Sequence, residues 1–450
     1  MYQIRVTIPD GLDQPGGEAA ISFSVAEYRL PEFEVTATAA PPEVVQSDLV
    51  RIQTESSYFF GAPVTDAAVE YQVVARPYYF QYRGEGSYQF YDWGVDHDDH
   101  AYDRRITGAG TQTGADGRSL IEFPAALIET DRSQVYTIET TIADATHQSV
   151  STRTQVIVHA GLVYVGGQPE RYVGTVDEPM TVNLIAVDWA STGVAGQSID
   201  VEVIERRWNS VQEVDRSGRT TWTWEVEDIP VATGQAITGA DGRTSFTFTP
   251  PNGGSYQIRL RTRDSAGNEI RSAVYTWIAA ATYVPWRPAN NNRIELIADR
   301  DRYEVGDTAD ILITSPFQGR HEALITVERG GVLSYERVTM ESNTYIYHLP
   351  IEAHFIPNVY VSVLLVKAID DTNPVAAFRM GVVQINVNPE QRELNVSIST
   401  DRDRSLPNGE VTFTIRTTDW RGEPVAAEIG VALTDKASLS VLQIAPVNLM

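Results

Sequence analysis

Apolar residues fall at every second position through short stretches of this chain, the spacing that turns one face of a β-strand inward and leaves the other wet. One such signature occurs four times: Tyr2-Gln3-Ile4-Arg5, Tyr136-Thr137-Ile138-Glu139, Tyr256-Gln257-Ile258-Arg259 and, more loosely, Tyr360-Val361-Ser362-Val363. The first three copies run into polar turns (Pro9-Asp10-Gly11, Ala143-Asp144-Ala145 and Asp264-Ser265-Ala266-Gly267-Asn268). A second alternating strand follows each turn: Ile21-Phe23-Val25, Thr152-Thr154-Val156 and Arg271-Ala273-Tyr275-Trp277. Subtracting the positions of the four tyrosines gives steps of 134, 120 and 104 residues, the size of an immunoglobulin-like sandwich with insertions. A turn also repeats residue for residue, Thr113-Gly114-Ala115-Asp116-Gly117-Arg118 returning as Thr238-Gly239-Ala240-Asp241-Gly242-Arg243. Its Asp-Gly pair supplies the positive φ that tight hairpins require. No stretch carries a sustained period of 3.6 with helix caps. The predicted fold class is all-β: tandem immunoglobulin-like antiparallel β-sandwich domains.

These landmarks predict a hairpin at 1–29 that closes a preceding domain, sandwiches over 30–160 and 161–283, a linker at 284–292, a sandwich over 293–389 and the start of another domain at 390–450. The first full sandwich opens on Pro31-Glu32-Phe33-Glu34-Val35, an edge-type strand behind a proline. A long aromatic and acidic excursion runs from Arg76 to about Tyr102. On this reading the chain is a slice of a larger β-domain array, cut at both ends.

Composition narrows the function classes. With 60 acidic against 35 basic residues the net charge is −25, the wrong sign for nucleic acid or anionic lipid as a main partner. The absence of Cys removes disulfides, thiol nucleophiles and Cys-based zinc sites from these residues. The longest apolar stretch, around Val359 to Val366, is too short to span a bilayer, so no membrane insertion by this segment is expected. The densest polar cluster is Asp92-Trp93-Gly94-Val95-Asp96-His97-Asp98-Asp99-His100. His97 and His100, with Asp96 and Asp99, are the candidates for a metal site. Their three-residue spacing suits a helix face rather than an aromatic loop, and no calcium-loop pattern is present, so a solvated hairpin tip and no metal is the expectation. No nucleophile elbow, phosphate loop or dinucleotide motif occurs, and neither catalytic nor cofactor-binding residues are assigned. Trp208, Trp222 and Trp224 suit a carbohydrate platform or a sheet core equally well.

The run Val25-Ala26-Glu27-Tyr28-Arg29-Leu30-Pro31-Glu32-Phe33-Glu34-Val35 resembles a junction between macroglobulin-like domains of the alpha-2-macroglobulin family. Tyr58-Phe59-Phe60-Gly61-Ala62-Pro63-Val64 with Ala67-Ala68-Val69 resembles a strand pair of that family. Ser315-Pro316-Phe317, Val327 to Ser334 and Pro357 to Val363 look like its bacterial branch. Gly422-Glu423-Pro424-Val425-Ala426-Ala427-Glu428-Ile429 through Ala437 resembles the first half of the domain that carries the bait region. The resemblance implies a non-enzymatic scaffold fragment of an endopeptidase inhibitor, in which a protease cuts a flexible bait and is trapped by rearranged domains. It implies target proteases and the chain's other macroglobulin-like domains as partners. It also implies an extracellular, cell-surface or periplasmic location in a bacterium. Gln443, Ile444 and Ala445 would stand at the entrance to the bait. The Cys-x-x-Gln thioester of many members is not in this segment, and one bacterial subgroup lacks it altogether. The alternatives are an immunoglobulin-like surface stalk or adhesin, and an accessory region of a secreted glycan-active enzyme.

Overall fold

The computed structural model describes residues 2–8, 17–23, 32–92, 104–127, 132–214, 220–287, 291–371, 373, 375–403, 405 and 409–433. A two-stranded hairpin comes first, β1 (Tyr2–Ile8) with β2 (Gly17–Phe23). Eight strands follow: β3 (Phe33–Ala39), β4 (Glu43–Val45), β5 (Leu49–Tyr58), β6 (Ala68–Pro77), β7 (Arg104–Gln112), β8 (Arg118–Pro124), β9 (Gln134–Ala143) and β10 (Ser149–His159). They form a three-stranded sheet β3-β5-β8 and a five-stranded sheet β4-β10-β9-β6-β7. Phe33, Ile52 and Ile121 of the first sheet meet Val73, Tyr136, Ile138 and Val156 of the second in one core.

The next eight strands repeat that plan: β11 (Tyr164–Pro169), β12 (Val173–Thr175), β13 (Met180–Val187), β14 (Ser198–Val214), β15 (Thr220–Ile237), β16 (Arg243–Phe248), β17 (Gly254–Arg263) and β18 (Glu269–Ala279). Their sheets, β11-β13-β16 and β12-β18-β17-β14-β15, match the first sandwich strand for strand. In both, a short early strand pairs in parallel with the last one, β4 with β10 and β12 with β18. A third sandwich holds β19 (Leu296–Ala298), β20 (Thr308–Thr314), β21 (His321–Glu328), β22 (Val332–Met340), β23 (Thr344–Pro350), β24 (Asn358–Lys367) and β25 (Ala377–Asn386). Its sheets are β19-β20-β23 and β22-β21-β24-β25, and isolated parallel bridges (Arg293 to Met380, Tyr303 to Val387) tie the start of the unit to β25 and the residue just after it. A last pair, β26 (Asn395–Thr400) with β27 (Phe413–Thr418), follows. Among the described residues no helix is long and apolar enough to cross a membrane.

Two sequence repeats now have physical reasons. Tyr136 and Tyr256 are fully buried; their hydroxyls donate to the carbonyls of Ala126 and Asn252 just upstream, satisfying the polar end of a core ring. Tyr360 differs. It is 41% exposed while Val359 and Val361 point inward, so the fourth copy is shifted by one residue and its tyrosine lies on the outer face. In the repeated hexapeptide, Thr113 Oγ1 donates to Val64 O (2.7 Å) and accepts from Ala67 N (2.9 Å). Thr238 Oγ1 does the same with Val194 O (2.6 Å) and Gln197 N (2.9 Å). The threonine thus pins the loop that follows β5 in the first sandwich and β13 in the second, and the Asp-Gly pair turns the chain beneath it.

Candidate functional site: the joints between sandwiches

The first joint is built around His159, the last residue of β10. Its side chain is 1% exposed and lies flat on Trp189, in the turn after β13, with centroids 4.0 Å apart and planes at 14°. The Trp189 indole N–H donates to Gly161 O (2.9 Å). Tyr164, opening β11, places its hydroxyl 2.7 Å from His159 Nδ1 and 2.8 Å from Ser133 Oγ. Ala160 N–H donates to Ser133 Oγ (3.0 Å). The Tyr164 hydroxyl thus links Ser133 Oγ to His159 Nδ1, while His159 Nε2 lies 3.6 Å from the Glu43 carboxylate. Leu162 N–H, within the connector, donates to Asp264 Oδ2 (2.7 Å).

Burial lowers the His159 pKa to about 4, because a charged imidazole loses its hydration there. The unfolded chain titrates this residue near 6.5. Its contribution is therefore complete above that pH and declines as the pH falls toward 4, because the unfolded state takes up the proton first. Chemical denaturation is expected to lose about 2 kcal/mol more between pH 7 and 4.5 in the parent chain than in His159→Asn, whose amide keeps a polar, uncharged group at the Nδ1 position. Equal pH dependence of the two proteins would remove His159 as the cause.

A strap crosses the same joint. Residues 78–92 leave β6 and reach the second sandwich, where Gln89 exchanges both backbone hydrogen bonds with Gly167 of β11 (2.9 and 3.0 Å). β11 is an edge strand, so the strap covers backbone that would otherwise be free to pair elsewhere. Phe80 stacks on Tyr164 (4.1 Å, 10°), and Phe90 meets Phe80 edge to face (5.1 Å, 78°). A Cβ at Gly166 would lie 2.7 Å from the Phe90 ring, which explains the glycine. Ile185 and Val187 of β13 close the cluster from beneath. The Asp92 carboxylate then accepts from Gln257 Nε2 (2.8 Å) and the Tyr275 hydroxyl (2.6 Å).

The second joint is apolar. Val173, Ala279, Val284, Trp286, Ile297 and Leu312 form one buried cluster between the second and third sandwiches. Asn343 clamps Val284, accepting its N–H (2.9 Å) and donating to its carbonyl (2.6 Å). The Trp286 indole donates to Thr344 Oγ1 (3.1 Å), and Tyr172 N–H donates to Asp299 O (2.8 Å). Val284 and Trp286 belong to the stretch that composition marks as a linker; here they are wedge residues. Trp208 on β14 receives the guanidinium groups of Arg287 and Arg206, 4.8 and 5.5 Å from its ring centroid.

Of the residues singled out for chemistry, His97, His100, Asp96 and Asp99 lie outside the described residues, as do Gln443, Ile444 and Ala445. Among the described residues no group of three or more His, Asp and Glu side chains could hold a metal. The register pairs Trp224 with Ser210 and Trp222 with Gln212. The joint residues escape an alternation search, yet they leave a trace. Leu184, Ile185, Ala186 and Val187 are consecutive and all buried, as are Ile311, Leu312 and Ile313. Such runs are expected of strands covered on both faces. These contacts tie each sandwich to the next through buried side chains.

Comparison with known proteins gives two family matches, "Alpha-2-macroglobulin bait region domain" over residues 294–441 and "Bacterial macroglobulin domain 6" over residues 168–277. The alpha-2-macroglobulin homolog of a Nostoc species is 22% identical over 457 aligned residues, covering 100% of this chain and 23% of the relative. The alpha-2-macroglobulin of Ralstonia nicotianae is 26% identical over 436, covering 94% and 24%. The chain thus spans about a quarter of the length of these relatives. Among solved structures, the native conformation of E. coli alpha-2-macroglobulin aligns with 92% of this chain and 26% of its own, at 17% identity and a TM-score of 0.41.

Proposed function

Because the chain belongs to the bacterial alpha-2-macroglobulin family, we propose that residues 30–389 are the rigid, non-catalytic scaffold of a protease trap whose bait is entered at Gln443, Ile444 and Ala445. In this reading 30–160, 161–283 and 293–389 are macroglobulin-like domains, and 390–450 begins the domain that bears the bait. Target proteases are the partners, met outside the cell or in the bacterial envelope. The observation that carries the reading is the construction of the joints: two successive interfaces are closed by buried aromatic and apolar side chains, with a strap across one of them. A framework that must move as a body when one distant segment is cut needs stiff joints and no catalytic groups of its own. The family match to a bait region domain over residues 294–441 supports a bait-bearing part in the last third of this chain.

The test is limited proteolysis of a polypeptide carrying these residues together with the further length of the relatives. Trypsin, elastase and subtilisin are expected to make their first cuts in one shared segment beyond residue 442. The hydrodynamic radius should fall after that cut. First cuts scattered through the sandwiches, or an unchanged radius, would overturn the reading. The 450-residue chain alone is expected not to inhibit these proteases.

A further inference from the structure

The three sandwiches do not present the same outer surface. In each, the last two long strands form a hairpin flanked by an earlier strand: β9 and β10 with β6, β17 and β18 with β14, β24 and β25 with β21. On the first sandwich the outer positions of these strands carry polar groups that pair across the sheet, Glu139 with Gln72 and Arg153, and Thr141 with Ser151. On the second, β17 carries ion pairs to its neighbours, Arg259 with Asp228 and Arg261 with Glu202. Both are solvated sheet faces. On the third the corresponding positions are apolar. The register sets Val366 beside Phe378, Leu364 beside Met380 and Ser362 beside Val382, with Leu324 of β21 on the other side of Leu364. Leu324, Tyr360, Val366, Phe378, Met380 and Val382 are 37–53% exposed, whereas Val361, Val363 and Leu365, which alternate with the outer residues of β24, are fully buried. A contiguous apolar patch on a chain of net charge −25 marks an interaction site.

The borders of the patch identify its occupant. On the β21 side stand Glu322 and Glu328, opposite Val366 and Tyr360. Beyond β25, on the other side, Arg293 bridges in parallel to Met380. One flank is acidic and the other basic, with apolar rows between them. Such a face complements itself. A second copy turned about a two-fold axis between β24 and β25 sets the apolar rows of β24 against those of β25, and brings the acidic flank of each copy over Arg293 of the other. The six exposed apolar side chains amount to roughly 500 Å² per copy, so a pair removes about 1,000 Å² from water, the size at which specific interfaces begin.

We propose that the outer face of β21, β24 and β25 is a dimer interface, covered by the same face of a second copy of this chain, sheet on sheet. The first two sandwiches, with polar faces at the corresponding positions, stay outside the contact. The inference does not depend on protease trapping.

The test is sedimentation equilibrium of the full 450-residue chain from about 1 to about 100 µM in roughly 0.15 M salt, which screens the repulsion between two acidic chains. A monomer–dimer equilibrium with a dissociation constant on the order of 10 µM is expected. Met380→Asp should weaken it about tenfold or more, whereas Ile398→Asp, at an exposed apolar position on β26, should leave it unchanged. Both positions are exposed, so neither substitution disturbs a core. Glu322→Arg and Arg293→Glu are each expected to weaken the dimer about threefold, and the double variant to recover it; no recovery would overturn the two-fold arrangement. Met380 supplies a second measurement. Its oxidation by hydrogen peroxide should be about threefold slower at the highest concentration than at the lowest, while Met340, 2% exposed, reacts slowly at both. A monomer throughout, a dimer that survives Met380→Asp, or a Met380 oxidation rate independent of concentration would overturn the proposal.

Discussion

Replacing Gly242 with valine is expected to destabilise the second sandwich by about 3 kcal/mol or more. The residue has a φ of 78°, a conformation a β-branched side chain strongly disfavours. Its surroundings matter more. A Cβ there would lie 2.5 Å from Gly193 Cα, 2.6 Å from Ala186 O and 2.7 Å from Val194 N. All three are backbone atoms, so no side chain can swing aside. The two loops would have to separate, breaking the Ala186 hydrogen bonds to Gly242 and Val194 and the Thr238 pin. Gly117 stands in the same relation to Ser56 O at 2.4 Å, so Gly117→Val should do the same to the first sandwich. Gly267 separates the two causes. Its φ is 86° but nothing lies within 4 Å of its Cβ direction, and Gly267→Val should cost only about 1–2 kcal/mol. Urea denaturation of the three variants decides the matter: equal losses at Gly242 and Gly267 would mean that close approach contributes nothing.

Phe90→Ala is the second large effect. Phe90 is 5% exposed and packs from the strap onto Gly166 of β11, so truncation removes a buried ring at a cost of about 3 kcal/mol. The loss should fall on the strap rather than on either core, because Phe90 belongs to the joint cluster alone. Amide exchange at Gln89 and Gly167, which bond to each other, is expected to accelerate by about a hundredfold, with the amides of β5 and β17 unchanged. Leu120→Ala, at a position 56% exposed, should move neither set. Uniform acceleration across both sandwiches after Phe90→Ala would show that the strap is not a separate opening unit.

The strands were legible because their alternation is a local property. Tyr136-Thr137-Ile138 and Tyr256-Gln257-Ile258 read directly as strands half in and half out, and the hexapeptide turn marks its own place twice. The phase of the Tyr360 strand was not legible, since alternate valines at 359, 361 and 363 compete with the tyrosine for the inner face. The joints were harder still. Residues 78–92 look like an aromatic insertion, and nothing in their own order says which surface they will cover; that depends on β11 and β13, about 80 residues later in the chain. Val284 and Trp286 are surrounded by Pro and Asn, the composition of a connector, so their burial is decided by Asn343 and Leu312 in the third sandwich. What can be read in advance is the other side of each contact, where apolar residues stop alternating, as at Leu184 to Val187.

The short parallel pairs of β4 with β10 and β12 with β18 have a mechanical meaning. Each joins a strand near the entry of a sandwich to its final strand over three residues. Tension applied along the polypeptide pulls the two members of such a pair in opposite directions along their length, so their hydrogen bonds are loaded together in shear rather than opened one after another. In the third sandwich single bridges at Arg293 and Tyr303 take that position. A pulling force on any of the three sandwiches is therefore carried first along the length of these entry-to-exit contacts.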